Sequence, residues 1–232
     1  MNNLISVLDK GYVRLVEHMG SDLSIVRAAR VSYNADWRAG EDESKDEKLI
    51  KYLWKNRHTS PFEAVTLTFE IKAPIFVFRQ WHRHRTQSYN EVSARYTELE
   101  DEFYSPNPRM IGQQSVTNKQ VRDLTDETGD LAKDRLEQVL YYESQCEAAF
   151  RLYHELLEDG WPRELARMVL PLSTYSRMFT TMNLLNLFRF LTLRTHEHAQ
   201  WEIRQYANAL AVLAGAIAPT AVDAWRGSNQ SS

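Results

Sequence analysis

The sequence predicts an α+β fold: a small, mainly antiparallel sheet followed by a helical second half. Three observations carry this. An apolar–polar alternation runs over 64–71, helical periodicity dominates from about residue 130 onward, and strand-like segments are concentrated before that point. The 232 residues, 43% of them apolar, suffice for one domain with an ordinary core. That domain is expected over 1–226, with the polar tail GSNQSS at 227–232 disordered.

Taken in order, LISVL at 4–8 reads as a short strand, with Gly11 in the turn that follows. Asp22 is placed as the N-cap of a helix through LSIVRAARVSY, whose apolar side holds Leu23 and Val26. The acidic stretch after it lacks apolar periodicity and reads as a loop. KLIKYLWKNR then puts Leu49, Ile50, Leu53 and Trp54 on one helical face. Val65, Leu67, Phe69 and Ile71 alternate with polar or small residues, marking a strand, and Pro74 starts a short helix through PIFVFRQW. Serine, asparagine and proline residues make a loop of the segment from Thr86 to about Pro108. The long periodic helix from about Asp130 stops at Gly160. Further helices are expected at PRELARMVL, from about Asn183, and over HAQWEIRQYANALAVLAGAIA, the last ending before Pro219.

Charge narrows the function. Twenty-eight basic residues face 31 acidic ones, a net charge of −3, which disfavours charge-driven binding to nucleic acid or an anionic membrane. No apolar run approaches the ~20 residues of a membrane span. The single cysteine, Cys146, excludes a disulfide framework and a paired-thiolate zinc site, and suits a reducing cytoplasm.

Positive charge is nevertheless concentrated in one place. RQWHRHRTQSYNEVSARY at 79–96 holds Arg79, Arg83, Arg85 and Arg95, with Glu91 the lone carboxylate from Ala73 to Thr97. Twenty arginines occur against 8 lysines, and none of those lysines lies between Lys72 and Lys119. A guanidinium offers a planar fork that grips phosphate at two points, so the stretch reads as an anion site rather than a solvated face, which would interleave acids. Neither GxGxxG nor a P-loop is present, so phosphate must be held by side chains.

Other chemistry is thinly represented. His196 and His198 are spaced by two on either side of Glu197, which points them apart on a helix, and no HExxH pattern exists, so no metal is expected. Cys146 lies within an amphipathic helix without a cationic neighbour in sequence and reads as a buried structural thiol. Ser88 lacks an evident base. A rival reading is a single-stranded nucleic-acid module stacking bases on Trp81, Tyr89 and Tyr96.

RHRTQSYNEVSARY at 83–96 resembles the RHRxxSxNxxSxRY signature of the flavin-dependent thymidylate synthases. VRAARVSY, HTSPFEAVTLTFEIKAPIFVFRQW, PRELARMVLPLSTYSR and HAQWEIRQYA are also similar to family segments, whereas 97–135 is not. The resemblance implies a homotetramer that converts dUMP to dTMP, with methylenetetrahydrofolate as one-carbon donor and FAD reduced by NADPH. It implies dUMP contacts at Gln80, Arg83, Glu91, Ser93, Ala94, Arg95, Arg167 and Arg194, with Arg194 polarising the uracil. FAD contacts fall on His58, Ser60, Arg83, His84, Arg85, Asn90, Glu91, Asn183 and His198. Two departures stand out. Ser60 replaces a frequent threonine, and Leu185 occupies a position often basic, for which Arg189, one turn on, is expected to compensate as an FAD contact. No protein nucleophile is required by such chemistry, which fits the absence of a reactive cysteine.

Overall fold

The computed structural model describes residues 3–123 and 130–229. Strand β1 (Leu4–Val7) reverses through Leu8, at φ 60°, into β2 (Gly11–Met19). Gly11 was expected in the turn, yet it opens a strand. A Cβ there would sit 2.1 Å from the Tyr206 hydroxyl and 2.7 Å from the Lys72 carbonyl oxygen, so only glycine lets these elements close. The rest of β2 is half-buried or exposed apart from Val13, which hides it from a periodicity reading.

Helix α1 (Asp22–Arg30) is capped by Ser21, paired with Ser24 in a capping box. Asp22, expected as the cap, is instead the first helical residue. Its carboxylate accepts from the backbone N–H groups of Thr220 and Ala221 at 2.9 and 3.1 Å, tying the two ends of the chain together. Of the two residues expected on the apolar side, Val26 is buried as expected, whereas Leu23 is exposed and Ile25 is buried in its place. Helix α2 (Glu43–Lys55) is capped by Asp42 and buries Ile50 and Leu53, as its spacing predicts.

The alternation at 65–71 becomes β3 (Thr66–Pro74), with Val65, Leu67, Phe69 and Ile71 fully buried. Pro74 caps α3 (Ile75–Trp81). The signature then forms β4 (Ser88–Glu91), where a loop was expected. Beyond it lie a two-stranded hairpin, β5 (Gln113–Gln114) and β6 (Arg122–Asp123), then α4 (Asp130–Glu158). Gly160 follows α4 in the left-handed region at φ 85°, as its placement predicts. Short α5 (Arg163–Ala166) leads to β7 (Tyr175–Asn183), a strand that periodicity does not reveal. Its buried positions include Ser176 and Thr180, so polar residues sit where apolar ones would have announced it.

Helices α6 (Leu184–Arg194), α7 (Trp201–Gly215) and α8 (Pro219–Asn229) complete the chain. Pro219, read as a stop, opens α8. The expected disordered tail is helical through Asn229, and 230–232 lie outside the described residues. Trp54 donates from its indole nitrogen to the Ser228 hydroxyl at 2.9 Å, which anchors that final turn.

All pairings in the five-stranded sheet, ordered β1-β2-β3-β7-β4, are antiparallel. One core joins the sheet to α1, α2, α3, α6, α7 and α8, with Phe188 stacked on Trp225 at 5.7 Å. A smaller cluster of Phe103, Cys146, Phe150, Tyr153 and Ala166 packs α4 against α5. No described helix is long and apolar enough to cross a membrane.

Candidate active site

The signature is held rigidly at both ends. Trp81 is fully buried at the end of α3, and its indole N–H donates to Oε1 of Gln87 at 3.3 Å. The same oxygen accepts from the Thr180 hydroxyl on β7 at 2.7 Å, while Gln87 Nε2 donates to the His84 carbonyl at 3.0 Å. The Tyr89 hydroxyl also donates to that carbonyl. These bonds fasten the segment between α3 and β4, so the register of β4 on β7, Ser88 opposite Thr181 and Glu91 opposite Met178, fixes where the motif's polar groups emerge.

Arg194, in the last turn of α6, reaches the signature from the far end of the sequence. Its Nε donates to Nε2 of His84 at 2.9 Å and its Nη2 to the Gln80 carbonyl at 3.2 Å. His84 must therefore be neutral with its proton on Nδ1, since a guanidinium only donates. Burial, and secondly the charge of Arg194, push the His84 pKa down to about 4. Burial alone lowers that of Arg194, with no carboxylate among the described residues offsetting the cost. A half-buried cation of this kind gains from any negative charge brought beside it.

Glu91, Ala94 and Arg167 line a cleft of about 270 Å³ together with Met168 and Ser176. Glu91 lies 4.0 Å from His82, and the Ser93 hydroxyl accepts from the Arg95 backbone at 3.3 Å. Arg95 points toward Glu164 at 3.7 Å. Gln80 and Arg194 do not line this cleft; they form a second corner with His84. Arg83, Arg85 and Asn90 are exposed beside them. A roomier cavity of about 700 Å³, walled by Ile5, Asp9, Tyr104 and Trp201, contains none of the expected ligand contacts. The arginine-bearing cleft is the better candidate, because a guanidinium suits an anion and the lining of the roomier cavity includes neither arginine nor lysine.

The remaining expected contacts are spread over other elements. His58 and Ser60 are exposed at the turn before β3, with His58 edge-on to Tyr52. Asn183 ends β7 and caps α6, its Oδ1 accepting from Asn186 N at 2.9 Å. Leu185 is buried in the core, whereas Arg189 is exposed and donates to Asn186 Oδ1 at 3.1 Å. His198 stacks edge-on with His196, and among the described residues no group of three or more His, Cys, Asp or Glu is placed to hold a metal. Cys146 is buried, 3.7 Å from the Ser173 hydroxyl.

Three side chains that no motif singled out join this corner. Gln80 donates to Gln200, which donates to the buried Glu202, which is held by Arg122. A glutamate flanked by Trp201 and Ile203 in a largely apolar helix was the available signal. The rival of base stacking loses its main platform, since Trp81 is enclosed.

A guanidinium-rich motif running from a helix onto a sheet-edge strand, with a half-buried arginine behind it, has the chemistry of an enzyme site for anionic small molecules. The family model described as "Thymidylate synthase complementing protein" (Thy1) matches residues 14–220. The chain is 48% identical to the flavin-dependent thymidylate synthase of Thermotoga neapolitana, over 89% of this chain and 87% of that one. It is also 48% identical to the enzyme of that name from Thermus thermophilus, over 94% and 76%. The structure of a UMP/dUMP methylase, PolB from Streptomyces cacaoi bound with 5-Br dUMP, superposes with a TM-score of 0.83 at 37% identity, covering 96% of this chain and 97% of that one. This protein belongs to the flavin-dependent thymidylate synthase family.

Proposed function

We propose that the protein carries out the reductive methylation of dUMP to dTMP, with methylenetetrahydrofolate giving the carbon and NADPH reducing a bound FAD. The observation that carries the reading is the Arg194–His84–Gln80 corner, together with a cleft that holds Arg167 and Glu91, in a chain whose family is known. Carbon 5 of a pyrimidine becomes nucleophilic only when electron density is pushed into the ring. A desolvated guanidinium at the ring carbonyl and nitrogen stabilises the charge that develops there. Arg194 fills that role, its Nε held by neutral His84 and its Nη2 by the Gln80 carbonyl.

The donor set suits FAD. Arg83, Arg85, Asn90 and Arg189 are exposed donors able to grip a diphosphate, and His58, Ser60, His84, Glu91, Asn183 and His198 supply further polar contacts. When bound, the flavin supplies a hydride. The chain's own part is to orient the ligands and exclude water. Gln80, Arg83, Glu91, Ser93, Ala94, Arg95 and Arg167 are assigned to the nucleotide.

A homotetramer belongs to this reading. The cleft of about 270 Å³ lies at the small end for a small-molecule site, which leaves room for a second chain to extend it. Exposed Trp37, Tyr96, Leu136, Leu140, Tyr141 and Met168 supply apolar area for such contacts. The single buried thiol accords with a reducing cytoplasm.

Tritium release from 5-labelled dUMP tests the reaction, with UMP run in parallel because the neighbouring structure is of a UMP/dUMP methylase. Wild type is expected to release tritium only with FAD, reductant and folate present. Arg194→Ala is expected to lose release while retaining flavin. Release undiminished in that variant overturns the assignment of Arg194, and a wild type that binds no flavin overturns the reading.

A further inference from the structure

Glu202 stands in the first turn of α7 and is 2% exposed. Arg122, at the start of β6, meets it with both terminal nitrogens, Nη2 to Oε1 at 2.8 Å and Nη1 to Oε2 at 3.3 Å. The Tyr104 hydroxyl donates to Oε1 at 3.3 Å and Gln200 Nε2 to Oε2 at 2.9 Å. Burial pushes the Glu202 pKa up, but Arg122 and Gln200 together outweigh it and hold the carboxyl below its ordinary value. The group is therefore an anion that only accepts hydrogen bonds.

An acceptor-only terminus dictates the orientation of every amide behind it. Gln200 must turn its NH2 toward Glu202, which leaves its Oε1 facing Gln80. Gln80 must then commit its own NH2 to Gln200, as observed. Its carbonyl oxygen is the end turned away. Arg194 meanwhile binds the Gln80 main-chain carbonyl, so the Gln80 amide and the Arg194 guanidinium share one corner.

We infer that Arg122, Glu202 and Gln200 form a relay that fixes the polarity of the Gln80 amide, so that Gln80 presents an acceptor to an N–H or O–H group of the nucleotide. The inference rests on the nucleotide reading above. It makes Arg122, Glu202 and Gln200 positioning residues, and it gives a role to Arg122, which lies outside the signature in a stretch expected to be unlike the family but spanned by the family model. A salt bridge serving only to pin the β5–β6 hairpin would not require the two amides to be aligned end to end with it.

Gln200→Met tests this without uncapping α7, because the Gln200 side chain makes no capping bond there. Calorimetric titration of the FAD-loaded protein with dUMP is expected to show about tenfold weaker binding in Gln200→Met, the loss of one oriented hydrogen bond, with flavin affinity unchanged. Introducing Gln200→Met into Gln80→Met is expected to cost nothing more. Arg122→Lys, which keeps the charge but loses the two-pronged contact, is expected to fall between wild type and Arg122→Ala. Wild-type dUMP affinity in Gln200→Met, or losses that multiply in the double variant, overturns the relay alone. A flavin-loaded wild type that binds no dUMP overturns the nucleotide reading, and the relay with it.

Discussion

Arg194 donates to His84 at 2.9 Å, and the contact exists only while the imidazole is neutral. Folding lowers the His84 pKa from 6.5 to about 4, so between those values the unfolded chain binds more protons than the folded one. Stability must then rise with pH across that window. Melting temperatures of wild type and His84→Gln at intervals from pH 4.5 to 7.5 check this. The advantage of wild type is expected to shrink as pH falls, and a pH-independent difference would mean that His84 protonates while folded.

Cys146 is buried beside Ser173 in the smaller cluster that packs α4 against α5. Cys146→Ser is expected to keep tritium release within about twofold, at a stability cost of about 1–3 kcal/mol from burying a hydroxyl. A folded variant without activity would contradict the absence of a protein nucleophile.

Gly11 admits no side chain. Gly11→Ala places a methyl against the Tyr206 hydroxyl and two backbone carbonyls, those of Val7 and Lys72, which cannot retreat. Overpacking of this kind costs about 1–3 kcal/mol, read as a lower urea midpoint at unchanged slope. An unaltered midpoint would show that the β1–β2 turn and α7 separate easily.

Asp22 caps α8 across the whole length of the chain. Asp22→Ala is expected to lose about 1 kcal/mol. The fluorescence of Trp225, packed on Phe188, reports whether α8 has loosened. Full stability would show the two backbone N–H groups satisfied by solvent.

Arg189 is the exposed guanidinium one turn beyond buried Leu185. Arg189→Ala is expected to weaken FAD several-fold, since an exposed charge contact contributes about 1 kcal/mol or less. Unchanged affinity would remove Arg189 from the cofactor site.

The sequence disclosed those parts of the fold whose burial alternates cleanly. β3 and α2 were legible because nearly every inward position is apolar. β7 was not, since Ser176 and Thr180 are buried there, Thr180 bonded to Gln87, where apolar residues would have marked the strand. α8 was masked by Pro219, which stops one helix and begins the next, and its docking depends on Asp22, almost two hundred residues away. For the site, the 79–96 arginine cluster was evident from composition alone. The Gln80–Gln200–Glu202–Arg122 chain was not, because single glutamines and one glutamate carry no local pattern, and only tertiary contact aligns them.

The pairing of β4 with β7 has a consequence for how this chain tolerates change. Side chains on a strand alternate between two sides, so inserting or deleting one residue between Gln87 and Glu91 would exchange the two sides and turn Asn90 and Glu91 away from their present directions. Length variation is thereby excluded from the signature and displaced to the surface segments around it. The strand acts as a reading frame for the chemistry, in which a substitution is a local edit and a frameshift erases the site.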